Sequence, residues 1–107
     1  MAKSIYEIEM NFAKAKRQAD DLDNVARKIE NMLNNEYEPC MNGISTNWKG
    51  ENANAYIKKG NALKTKIEKS ASNLKKVATT IRVIAKNTYD AEKAAYELAL
   101  ARTYNKK

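Results

Sequence analysis

Hydrophobic side chains recur along this chain in alternating steps of three and four, and that spacing constrains the fold more than any other feature. Ile5, Ile8, Phe12, Ala15, Ala19, Leu22, Ala26, Ile29 and Leu33 follow it without a miss. Such a stripe belongs to a helix that packs lengthwise on another. Ser4 followed by Glu7 has capping-box spacing and would start the helix there. Asn34-Asn35-Glu36-Tyr37-Glu38-Pro39 would end it, because proline pushes the residue before it out of helical geometry. The spacing therefore predicts helix one over residues 5–37.

A second run takes up the same rhythm through Ala53, Tyr56, Gly60, Leu63, Ile67, Ser70, Leu74, Val77, Ile81, Ile84, Thr88, Ala91, Ala95 and Leu98. Ile57, Ala71, Ala78, Ala85 and Ala94 widen the stripe beyond a two-stranded seam. Helix two is expected over 51–102, followed by a frayed basic tail at Tyr104-Asn105-Lys106-Lys107. One proline and three glycines leave few turn-makers, and the segment 38–50 between the runs holds the proline and two of those glycines. The expected fold is all-α, a single domain formed by an antiparallel helix-turn-helix hairpin. A lone hairpin leaves one side of each apolar stripe wet, so two hairpins would pair as a four-helix bundle. The expected dimer seam comprises Ile5, Ile8, Phe12, Leu22, Ile29, Leu33, Leu63, Ile67, Leu74, Ile81 and Ile84.

Chemistry is constrained by what is missing. Without histidine there is no Ser-His or Cys-His nucleophile pair and no histidine-ligated zinc. No catalytic residue, cofactor or metal ligand is singled out, and an enzyme is not expected. The single Cys40 forms no disulfide within the chain and reads as an idle thiol. The opening Met-Ala-Lys-Ser-Ile-Tyr-Glu-Ile-Glu-Met has no apolar run of signal-peptide length. No stretch approaches the roughly 20 apolar residues that a membrane span needs.

The only tryptophan lies in the break, as Asn47-Trp48-Lys49-Gly50. A glycine two residues after tryptophan lets the chain turn sharply while the large ring packs across the hairpin end. With two heptad helices in a chain of 107 residues and Trp-x-Gly in the only turn, the sequence resembles the WXG family. These are the small early-secreted-antigen-like proteins of bacterial type VII secretion. The resemblance is one of layout over nearly the whole chain. It implies hairpins that dimerise into four-helix bundles. It also implies export after cytoplasmic folding, to the outside or the cell surface, by an ATPase-driven machine and without a cleaved signal. Trp48 and Gly50 match the family's turn motif. The family's second element is Tyr-x-x-x-Asp/Glu on helix two. Here Tyr89-Asp90-Ala91-Glu92 places the acid three residues on, with Lys93 at the fourth. Either Tyr89 and Glu92 form a degenerate signal or a partner supplies it. Partners implied by the resemblance are a second copy, another WXG-like protein, or the helical N-terminal domain of a larger secreted toxin that this chain would help to export.

Charge adds to this picture. Residues 1–38 carry six basic and eight acidic side chains, whereas residues 39–107 carry fourteen and five. A lysine-rich helix face is ordinarily just solvated; the sharper expectation is an acidic partner. The competing function is a cytoplasmic basic helical adaptor that binds nucleic acid. Lysines outnumber arginines and helix two lacks interleaved exposed aromatics, so that reading is disfavoured. At 1.5 Å per residue, helix one would be about 50 Å long and helix two about 77 Å. Helix two would then overhang from about residue 85, leaving an apolar seam for a longer partner to cover.

Overall fold

A computed structural model describes residues 3–105; Lys106 and Lys107 of the expected tail lie outside them. Its secondary structure is helical. The first helix, α1, spans Ile5–Met32 and runs into a π-helical turn at Leu33–Tyr37; α2 spans Glu38–Asn47 and α3 spans Glu51–Asn105. The start of α1 carries the expected cap: the Glu7 backbone N–H donates to Ser4 Oγ at 3.1 Å, and the Ile8 N–H donates to the Ser4 carbonyl. Contacts gather these helices into two units, one from α1 up to Asp21 with α3 from Val77 onward, the other from Leu22–Lys76.

In the first unit the two helices run antiparallel. Lys3 Nζ meets Glu92 Oε2 at 2.8 Å, Phe12 stacks on Tyr89, and Arg82 meets Asp20 at 2.7 Å. Ile8, Ala19 and Ala78 are buried, with Phe12, Ala15, Ile81 and Ala85 half-buried around them. The hydrogen bond and negative charge of Glu92 hold the Lys3 ammonium above its ordinary range. Folding therefore raises that pKa. The bridge is complete at neutral pH and fades only as pH climbs through the lysine range.

The second unit is also antiparallel, with Lys75 Nζ 2.7 Å from Glu30 and Lys64 Nζ 3.2 Å from Glu38. Ala26, Leu33, Met41, Ala53 and Ala71 form its core. Here the expected boundary is corrected. Pro39 does not end the helix, because Glu38 keeps φ −62° and ψ −46° and the chain stays helical to Asn47. The π-turn explains this. Its extra residue is seen in the Glu38 N–H, which donates five residues back to the Leu33 carbonyl. In an unbroken heptad the positions after Ile29 and Leu33 would be Glu36 and Cys40, both exposed. One inserted residue brings in Tyr37, Met41 and Ile44 instead. The same loosening falls where a proline lacks an N–H for the carbonyl four residues back.

Gly60 on α3 lets the helices of this unit close. The Tyr37 hydroxyl donates to the Gly60 carbonyl at 2.6 Å, and a Cβ there would stand 2.9 Å from Met41 Sδ and 3.3 Å from the Tyr37 hydroxyl. Any side chain would push Tyr37 and Met41 away.

The register of helix two differs from expectation as well. Within each unit, α3 turns toward the chain's own first helix the column that contains Ile57, Ala71, Ala78 and Ala85, along with Gly60, Ile67, Leu74 and Ile81. Ala71 and Ala78 on α3 and Ala19 and Ala26 on the first helix are all fully buried, and such small side chains permit close approach. The bulkier column, Tyr56, Leu63, Ser70, Val77 and Ile84, stays exposed. The expected overhang from residue 85 is also shortened. With helix one continuing to Asn47, the Lys3–Glu92 bridge matches α3 to its partner as far as residue 92.

Candidate interaction surface

The turn between α2 and α3 is three residues, Trp48–Gly50, where the sequence suggested 38–50. Thr46 Oγ1 and Asn47 Nδ2 donate to the carbonyls four residues back, and the Trp48 N–H donates to the Ile44 carbonyl at 2.9 Å. These bonds close the end of α2. Trp48 then goes extended, at φ −126° and ψ 120°. Gly50 takes φ +118°, a region that side-chain-bearing residues rarely adopt, and its carbonyl accepts the Asn54 N–H that opens α3. The expectation of a sharp turn at this glycine is met. The Trp48 ring lies 6.0 Å from that of Tyr56 and remains 47% exposed, so it leans on α3 rather than filling the core.

Gly50→Ala should cost about 1–3 kcal/mol through backbone strain alone. Space is no obstacle, since nothing lies within 4 Å of the added carbon. Gly43→Ala, in an equally open helical position, should instead stabilise by up to about 1 kcal/mol. Paired thermal melts check both; a neutral Gly50→Ala would remove the strain argument.

Tyr89 and Glu92 are not plain surface residues of an amphipathic helix. Their rings and charges engage helix one: the Tyr89 ring lies 4.6 Å from that of Phe12 at an interplanar angle of 23°, and Glu92 bridges to Lys3. Lys16 sits 5.3 Å over Phe12 and Lys93 sits 5.7 Å over Tyr89, so the stacked pair is flanked by two cations.

The expected dimer-seam residues divide into three groups. Ile8 and Leu33 are closed off within the chain; Ile5, Phe12, Leu22, Ile29, Ile67, Leu74 and Ile81 are half-buried; Leu63 and Ile84 are exposed. On α3 the open residues share one heptad column. In the second unit they are Tyr56 and Leu63, at 53% and 50% exposure, and in the first they include Ile84 at 58%. Each unit has an apolar groove beside that column. In the first unit Ile8, Ala15, Ile81 and Ile84 line a space of about 270 Å³. In the second, Tyr37, Met41, Ile44, Tyr56 and Leu63 line one of about 310 Å³, with Lys59 at its edge. Reasoning from the sequence missed Tyr37, Met41 and Ile44, because their spacing carries the heptad signal only after one residue is inserted.

Among the described residues no cluster of acids or cysteine could hold a metal ion, and no helix is long and apolar enough to cross a membrane. Comparison of the chain with protein-family models, with curated proteins and with solved structures returns no match.

Proposed function

We propose that this chain is a WXG-like component of bacterial type VII secretion, either a substrate or an export helper for a larger secreted toxin. It acts by pairing its helices with a partner in a four-helix bundle and presenting the Trp48–Gly50 turn to the export machinery. The turn carries the proposal. A half-exposed tryptophan and a left-handed glycine join two helical runs that pair antiparallel in each unit. The open apolar column of α3 supports pairing, since water-exposed heptad positions of this size call for cover. Tyr89 and Glu92 favour a partner that supplies the tail signal, because here both side chains are engaged by Phe12 and Lys3.

Export by the secreting cell tests the reading. Trp48→Ala should abolish or strongly reduce the exported fraction while the purified variant keeps its helical circular dichroism. Undiminished export of the folded variant would reject the role of the turn. If the chain were a nucleic-acid adaptor instead, it would bind DNA or RNA with an affinity falling steeply as salt rises.

A further inference from the structure

We infer that the open face of α3 in the second unit docks an acidic amphipathic helix from a different protein rather than a second copy of this chain. The inference rests on the helical pairing proposed above and identifies the partner by its charge.

The face has an apolar floor and a basic rim. Tyr56 and Leu63 stand open over the groove of about 310 Å³ whose inner wall is Tyr37, Met41 and Ile44. A groove of that size takes a large aliphatic or aromatic side chain from a partner helix, the kind of buried anchor that dominates an interface. Lys59 and Lys66 lie seven residues apart, each three residues beyond Tyr56 or Leu63, so both border the apolar column on one side. Neither makes a salt bridge among the described residues, whereas Lys64 and Lys75, on the side facing helix one, pair with Glu38 and Glu30.

Those two bridges also speak against a second copy. In this unit helix one carries four acids, Asp23, Glu30, Glu36 and Glu38, and Glu30 and Glu38 are already engaged within the chain. Asp23 likewise has an interaction of its own. What helix one then offers in this unit is Glu36 against Arg27 and Lys28. The α3 segment from Lys58 to Lys76 has seven lysines and one glutamate. A second copy that docked through this same unit would therefore bring mainly lysine or neutral surface to Lys59 and Lys66, with Glu36 and Glu68 among its remaining acids. A helix with leucines in the groove and glutamates or aspartates along its flank would match both features. Charge complementarity of this kind selects the partner and speeds encounter.

The test uses the full chain and two synthetic helical peptides of three heptads without tryptophan. Both carry leucine at a and d; one is flanked by glutamate and the other by lysine. Binding is read from Trp48 fluorescence, since that ring rests against Tyr56 at the edge of the groove. The glutamate peptide should bind, more weakly as salt rises, and the lysine peptide should not. Lys59→Glu with Lys66→Glu should weaken binding at least about tenfold, whereas the same charge change at Lys14 and Lys28 should leave it within about twofold. Equal binding of both peptides, or equal loss in both double variants, overturns the inference. So does a chain that ignores the glutamate peptide but dimerises alone through a face that Leu63→Asp destroys; that outcome leaves helical pairing intact. A monomer that takes up neither peptide removes both the inference and the pairing reading.

Discussion

Leu33→Ala is expected to destabilise the chain by about 2–5 kcal/mol, the span seen when a buried leucine is truncated and its cavity only partly closes. Leu33 is 1% exposed, and it and Ile8 are the largest side chains that are fully enclosed. Most of the remaining buried core is alanine, which has no side chain to extend into the space left behind. Leu33 also begins the π-turn, with its carbonyl accepting the Glu38 N–H, and so helps fix the point at which the seam changes register. A domain of this size has about 5–15 kcal/mol in all, so the loss is a large share of its stability. The melting temperature should fall by on the order of 10 °C or more. Met32→Ala, one residue earlier and 37% exposed, should stay within about 1 kcal/mol of the parent. Urea melts followed by circular dichroism separate the two. Equal midpoints for both variants would mean that Leu33 is not the enclosed anchor described.

The contrast between those neighbours shows why the seam of the first helix could be read from sequence only as far as Leu33, and the helix itself only to 37. From Ile5 to Leu33 a single stripe serves a single contact, and every member of it is buried or half-buried. Past Leu33 the next heptad positions hold Glu36 and Cys40, so the uninterrupted pattern stops, and Pro39 gives a local reason for the helix to stop there. What the heptad count cannot register is a one-residue insertion, which exchanges Glu36 and Cys40 for Tyr37 and Met41. Local sterics at Glu38 were overridden by burial of Met41 and by the Tyr37–Gly60 hydrogen bond. The turn itself was legible, because Gly50 is the position that needs φ +118°. So was the apolar character of the surface, whereas the side of α3 that remains open was not.

That last ambiguity has a direct test in two adjacent residues. Helix two carries three neighbouring apolar columns, and spacing alone does not say which two face the chain's own first helix. Bulk in the middle and outer columns drew the expected seam through Leu63, Ser70 and Val77. The structure sets it one column over, through Ala71, which is fully buried, and leaves Ser70 exposed. Ala71→Leu should therefore destabilise by about 1–3 kcal/mol or more, because a larger side chain must prise apart helices that approach over alanine. Ser70→Leu should leave the isolated chain nearly unchanged. It could even gain a few tenths of a kcal/mol, since leucine is the better helix former and its side chain extends into open space; the Ser70 hydroxyl bonds only back to the Lys66 carbonyl. In the presence of a helical partner the same Ser70→Leu change should tighten pairing, as it fills the gap between Leu63 and Val77 in the exposed column. If denaturation gives the reverse order, with Ser70→Leu the damaging change and Ala71→Leu tolerated, then the chain's own seam runs where spacing first placed it. The surface offered to a partner would then be the alanine column instead.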